Sequence, residues 1–279
     1  MPPFLLYAHR GASRHAPENT LAAFRRAIAD GANGLELDVQ LSKDGVPIVL
    51  HDEWLGRTVS GRGWVRDHTW DELARLDAGA WFSPAYSGEP IPTLEDVCRL
   101  VADTDLVLNV ELKTQLVPQP GIEERVTALL RRYALLPRTV ISSFSIATLQ
   151  TVRRIAPDAT IAVLYWGELH RPWRLAAALG APYLHPPEAA VTPRYVKEAH
   201  RCGLRVVPYT VNNPAVAKRL VAWGVDGLIT DDPGRIRRAI GPLRKANAAA
   251  TRRARNRLLR KRRRKSDNRP PTETPPATS

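Results

Sequence analysis

Within the first fifty-two residues, acids and histidines fall at the ends of short apolar runs: His9-Arg10-Gly11, Pro17-Glu18-Asn19-Thr20, Glu36-Leu37-Asp38 and His51-Asp52. A later apolar run closes on Glu111-Leu112-Lys113. Glu36 and Asp38 stand at i and i+2, so on a strand both side chains leave the same face. Two carboxylates turned into one interior repel each other and are costly to bury unless a cation pairs them. A hard divalent ion satisfies both, and Glu111 offers a third oxygen. All-oxygen ligation suits Mg²⁺ or Ca²⁺ better than Zn²⁺. Cleaving a P–O bond near neutral pH needs one group to take a proton and another to give one. Histidine serves both roles, which points to His9 and His51. Arg10 and Lys113 add the positive charge that would stabilise developing phosphoryl oxygens. Asp52 or Glu18 can orient a histidine or anchor a substrate hydroxyl, and the sequence leaves both open. Together these side chains form a set suited to metal-assisted cleavage of a phosphodiester.

The elements that must position them alternate along the chain. Short β-branched runs recur at Leu5–Ala8, Gly34–Val39, Val46–Leu50, Leu106–Leu112, Thr139–Ser143, Thr160–Tyr165, Tyr183–His185, Arg205–Tyr209 and Gly227–Thr230. Between most of them lie helical spacings with start signals: Asn19 before 20–30, Thr93 before 94–102, Ser145, Thr192-Pro193 and Asn213-Pro214. This alternation predicts a parallel sheet with crossover helices. Nine runs exceed an eight-stranded barrel by one. Lys43-Asp44-Gly45 resolves the excess, because it is a tight-turn signal with no room for a helix. Val46–Leu50 then folds back as a ribbon and carries His51 towards the carboxylates. The predicted fold is an α/β TIM (β/α)8 barrel over residues 1–243. The Gly-, Trp- and Asp-rich segment of about 52–92 is an inserted ordered loop region at the mouth.

The chain has 279 residues and a net charge of +13. From Arg244 to Ser279 there are thirteen Lys or Arg and two acids, whereas residues 1–243 hold 28 basic and 26 acidic side chains. The high charge therefore belongs to the tail, 244–279. Its part 244–265 has no helix breaker, and 269–279 has a disordered composition. Two distant cysteines, Cys98 and Cys202, argue against a disulfide scaffold or a thiolate zinc site. With no signal-like start and no transmembrane run, a soluble cytoplasmic protein is expected. The tail's charge would draw it to an anionic membrane surface, at about 1 kcal/mol per basic residue, or to nucleic acid by counterion release. No aromatic residue follows Trp223, which removes base stacking from the tail's options.

The motifs AHRGASRHAPENTLAAF, GANGLELDVQLSKDGVPIVLHD, NVELK, SSFS and GVDGLITDDP run in order from Tyr7 to Pro233. They resemble those of the glycerophosphodiester phosphodiesterase family. The resemblance implies His9 and His51 as the acid–base pair, Glu36, Asp38 and Glu111 as metal ligands, and Arg10 and Lys113 as phosphate contacts. It also implies attack on phosphorus by a neighbouring glycerol hydroxyl, then opening of the cyclic phosphate by water to give sn-glycerol 3-phosphate. Tyr209-Thr210 stands where many members carry Trp-Thr. Tyr209 can still wall a glycerol pocket, so the departure bears on substrate preference. Glu18 and His185 are further candidate substrate contacts. His15, His68, His170 and His200, the Asp231-Asp232 turn and Asn19 as a helix cap read as structural. Two other functions compete: a lysophospholipase D held at membranes by the tail, and a non-catalytic scaffold. The second would have no physical need for clustered buried carboxylates.

Overall fold

A computed structural model of the chain describes residues 4–241. Eleven strands are present among them: β1 (Leu5–Ala8), β2 (Gly34–Leu41), β3 (Pro47–Val49), β4 (Trp54–Leu55), β5 (Gly63–Trp64), β6 (Val107–Leu112), β7 (Thr139–Ser143), β8 (Thr160–Leu164), β9 (Tyr183–His185), β10 (Arg205–Val206) and β11 (Gly227–Thr230). The helices are α1 (Leu21–Ala29), α2 (Trp70–Leu73), α3 (Leu94–Val101), α4 (Ile122–Arg132), α5 (Ile146–Ile155), α6 (Pro172–Leu179), α7 (Pro193–Arg201) and α8 (Pro214–Trp223). A further helical stretch covers 233–241. The expectations for 244–265 and 269–279 lie outside the described residues.

Eight strands run parallel in the order β10-β9-β8-β7-β6-β2-β1-β11. Backbone bonds from Asp226 N to Val206 O (2.9 Å) and from Ile229 N to Pro208 O (3.0 Å) link the two ends. The ring is therefore the expected TIM barrel. Strand β10 is shorter than the run Arg205–Tyr209 suggested. Pro208 has no N–H to give a ladder, so pairing beyond Val206 becomes irregular. Leu5, Tyr7, Val140, Ala162, Tyr183, Val207 and Ile229 fill the barrel interior, while a larger apolar layer packs the strands against the helices. Gly34 admits the Tyr7 ring, since a Cβ there would stand 2.4 Å from Tyr7 Cδ1.

The hairpin forms as expected. Strand β3 pairs antiparallel with the end of β2, with Val39 opposite Val49 and Leu41 opposite Pro47. Gly45 supplies the positive φ of the turn, at 81°. Residues 52–92 are ordered around an apolar cluster shared with the hairpin, in which Ile48, Leu50, Leu55, Val59, Val65, Leu73, Ala78 and Ile91 pack together. Strands β4 and β5 form a small antiparallel hairpin within this segment.

The start signals at Thr93, Ser145, Thr192 and Asn213 all cap helices with their side chains. At α1 the expectation is off by one residue. Thr20 is the cap and accepts from Ala23 N, whereas Asn19 sits in the left-handed region at φ 59°. Among the described residues no helix is long and apolar enough to cross a membrane.

Candidate active site

The carboxylates are set by sheet register. Strand β2 pairs with β6 so that Glu36 lies beside Asn109 and Asp38 beside Glu111. Alternation turns all three acids to the interior, where they are buried. One ligand oxygen from each of Glu36, Asp38 and Glu111 lies within 4.8 Å of the other two. Burial, then the neighbouring Asp38 charge, pushes Glu36 up to about 8. Burial and Asp38 also raise Glu111, against the pull of Lys113. For Asp38 burial acts upwards too, but Arg10, His51, Lys113 and the Asn19 amide outweigh it and hold the carboxyl well below its usual range. A set of buried acids that resists full ionisation is short of positive charge. Its all-oxygen chemistry fits a hard divalent cation.

The cations expected from sequence are in place. Arg10 follows β1 and donates its backbone N–H to Glu36 Oε2 at 2.8 Å. Its guanidinium donates to Glu18 Oε1 at 2.8 Å, and its Nε makes an ion contact with Asp38 Oδ2 at 3.2 Å. Lys113 Nζ donates to Glu111 Oε1 at 3.1 Å and lies 3.8 Å from Asp38 Oδ1. Arg10 adopts φ 54° and Gly11 φ 85°. A Cβ at Gly11 would meet Ala23 Cβ at 2.6 Å, so the loop can turn under Arg10 only with glycine.

Each histidine is oriented by a carboxylate. His9 Nδ1 lies 2.6 Å from Asp231 Oδ1, and His51 Nδ1 lies 2.6 Å from Asp52 Oδ1. With Nδ1 as the donor in each pair, Nε2 is left for proton exchange. Burial lowers the basicity of His9, but the Asp231 bond and the Glu36 charge more than offset it, so its pKa is raised. Arg57 donates to both Asp52 and Glu18, which joins the two sides: Arg10–Glu18–Arg57–Asp52–His51.

Three side chains join the site beyond those expected from sequence. Asp231, expected to be architectural, binds His9. Asn19, expected to be a helix cap, donates to Asp38 Oδ2 at 2.9 Å. Arg57 was not singled out. Asp231 and Asn19 both fall within the family-like motifs, whereas the only signal for Arg57 is its place in a polar turn at the mouth.

The remaining candidates are spread round the mouth. Tyr209 follows β10. Its hydroxyl donates to Tyr165 O at 2.8 Å, and its ring is edge-on to Phe144, which stacks on Trp166 at 4.1 Å. His185, at the end of β9, is fully buried, and neither ring nitrogen has a hydrogen-bond partner. Burial alone lowers its pKa to about 3 from 6.5. The folded protein thus keeps His185 neutral, while the unfolded chain binds a proton below about pH 6.5. Stability from this site is complete above that pH and falls as pH drops towards about 3, by at most about 1.4 kcal/mol per pH unit. The melting temperature is expected to fall less between pH 7 and pH 5 in His185→Leu than in the wild type. Equal falls would contradict the assignment.

The sequence profile of the glycerophosphoryl diester phosphodiesterase family matches residues 9–235. A glycerophosphodiester phosphodiesterase of Caldanaerobacter subterraneus subsp. tengcongensis is 44% identical over 229 residues, covering 82% of this chain and 94% of the relative. Among solved structures, an Oleispira antarctica phosphodiesterase in complex with the product sn-glycerol-3-phosphate superposes with a TM-score of 0.79 at 31% identity, over 85% of this chain and 96% of that one. A glycerophosphodiester phosphodiesterase of Agrobacterium tumefaciens str. C58 gives 0.75 at 31% identity, over 83% and 98%. Barrel, clustered acids and sequence profile agree over the same residues, and the chain belongs to the glycerophosphoryl diester phosphodiesterase family.

Proposed function

We propose that this enzyme hydrolyses glycerophosphodiesters to sn-glycerol 3-phosphate and an alcohol, with His9 and His51 exchanging the protons. The observation that carries this reading is the pair of carboxylate-oriented histidines beside one acidic cluster. His9 is close enough for its charge to act on Glu36, and His51 for its charge to act on Asp38 and Glu111. Glu36, Asp38 and Glu111 would hold one Mg²⁺ or Ca²⁺, which when bound supplies Lewis-acid stabilisation of the phosphoryl oxygens. Arg10 and Lys113 bind the same oxygens and neutralise charge that grows during displacement. One histidine takes the proton of the glycerol 2-hydroxyl as that oxygen bonds to phosphorus. The other gives a proton to the alcohol oxygen as its P–O bond breaks. Water then opens the cyclic phosphate, with the two proton roles reversed. Tyr209 walls the glycerol, and Glu18 holds Arg10 in place. His185 is fully buried and is given no contact with the substrate in this reading.

The test is release of sn-glycerol 3-phosphate from several glycerophosphodiesters, before and after EDTA and with Mg²⁺ or Ca²⁺ restored. Activity is expected to vanish with chelation and return with metal. Equal turnover with and without chelator would sink the metal assignment, and no turnover of any diester with metal present would favour the scaffold reading.

The basic segment 244–265 suits an anionic partner of a cytoplasmic protein, and a lipid surface is the one we favour. Removing 244–279 is expected to leave turnover of soluble diesters intact and weaken binding to anionic liposomes. A loss confined to nucleic-acid binding would assign the tail to that partner instead.

A further inference from the structure

Beside the His51–Asp52 pair the mouth opens into a groove of about 680 Å³. Asp52, Trp54, Arg57, Arg62 and Trp64, from the segment after β3, line it together with Leu116 from the loop after β6. This is the size of a site for a drug-sized ligand, well beyond what ethanolamine fills. Its apolar groups are unusually open to water: Trp54 is 47% exposed, Trp64 40% and Leu116 72%. The two indoles meet edge-on at 5.1 Å. Every large apolar side chain that is exposed among the described residues sits in a segment leaving the C-terminal end of a strand. The opposite end of the barrel has none. An apolar surface gathered round one opening marks a place where something apolar binds.

The groove's charges argue against a cationic head group. Asp52 is engaged by His51 and Arg57. Glu53 Oε1 is buried, and the charge of Glu53 acts on Lys113. The Arg66 guanidinium already covers the Trp64 ring, at 5.6 Å from its centroid. Arg62 has no ion-pair partner among the described residues and would repel an ammonium. An uncharged apolar chain meets none of these obstacles.

The barrel fixes which end of the substrate the groove serves. In an in-line displacement the attacking and leaving oxygens lie on opposite sides of phosphorus. Strands β6 and β10 stand four places apart in the ring of eight, so Leu116 and Tyr209 face each other across the mouth. With glycerol against Tyr209, the leaving alcohol points over β6 and β3 into the groove.

We propose that the groove between the β4–β5 hairpin and Leu116 binds the leaving alcohol, and that it selects alcohols bearing an apolar chain over choline or ethanolamine. This rests on the glycerophosphodiesterase reading above. The step itself is unchanged: the P–O bond to that alcohol breaks, and its oxygen takes a proton from a histidine.

The test is a kcat/KM series with metal present, on glycerophospho-ethanol, -butanol and -octanol, glycerophosphocholine and 1-acyl lysophosphatidylcholine. The octyl ester is expected to exceed the ethyl ester by about tenfold or more, a small part of what full burial of the added methylenes would give. Leu116→Ser and Trp64→Ala should each pull the octyl-to-ethyl ratio towards one. Leu116 is so exposed that its replacement leaves the core untouched, which keeps the comparison valid even if the hairpin variant folds poorly. A wild-type ratio near one with the ethyl ester hydrolysed would overturn the proposal, as would faster turnover of glycerophosphocholine than of the octyl ester. Preference for the lysolipid, whose chain is on the glycerol, would overturn the placement. Failure to hydrolyse any of these diesters would sink the phosphodiesterase reading instead.

Discussion

Replacing His9 by alanine is expected to lower kcat by about 10²-fold or more, the usual worth of a general acid or base. The measurement is initial-rate release of sn-glycerol 3-phosphate at saturating metal. His9 directly follows β1, donates its backbone N–H to Thr230 O at 2.8 Å, and has Nδ1 fixed by Asp231. Only its Nε2 edge remains for the substrate. His51→Ala should cost a similar factor, because its geometry is the same with Asp52 in the place of Asp231. The double variant should lose less than the product of the two single losses if the histidines work as one unit. Wild-type rates in either single variant would refute its proton role.

The second large effect is expected from Asp38→Asn. The change keeps the shape of the side chain and removes one charge from the centre of the cluster. Asp38 touches Arg10, Asn19 and Lys113, and its charge adds to burial in raising both Glu36 and Glu111. Metal affinity, read by calorimetric titration of the enzyme without substrate, is expected to fall by more than tenfold. The kcat/KM should fall by about 10³-fold, since a bound metal is worth several kcal/mol to the charged transition state. Glu36 should then titrate closer to an ordinary carboxyl. Unchanged metal affinity would show that the ion, if any, sits elsewhere.

Much of this site was legible in sequence because it depends on local rules. The i, i+2 spacing of Glu36 and Asp38 needs only strand alternation. The return of His51 needs only the Asp44-Gly45 turn. Four helix starts followed from a Thr, Ser or Asn before an apolar run. What was hidden depends on which strands become neighbours. Nothing near His9 names Asp231 as its partner, because the two are 222 residues apart and meet only when β1 pairs with β11. Asn19 carried a strong capping signal, yet the cap fell to Thr20, and the amide went to a carboxylate that only the assembled barrel puts in reach. Arg57 was lost in a segment whose two strands have two residues each, too short for any periodicity.

The pairing of β1 between β2 and β11 has a consequence for how the enzyme comes into being. During synthesis the first strand leaves the ribosome with one edge unmatched. Its second neighbour, β11, is the last strand among the described residues, with Leu5 opposite Gly227 and Ala8 opposite Thr230. Such non-local closure is slow, and the open edge is exposed while it waits. His9 acquires its carboxylate partner in that same final event. A nascent or truncated chain that ends before residue 231 can hold Glu36, Asp38 and Glu111 but not the His9–Asp231 pair. With His9 in the proton role proposed above, onset of turnover during refolding is expected to report the docking of β11, not the earlier collapse of the core.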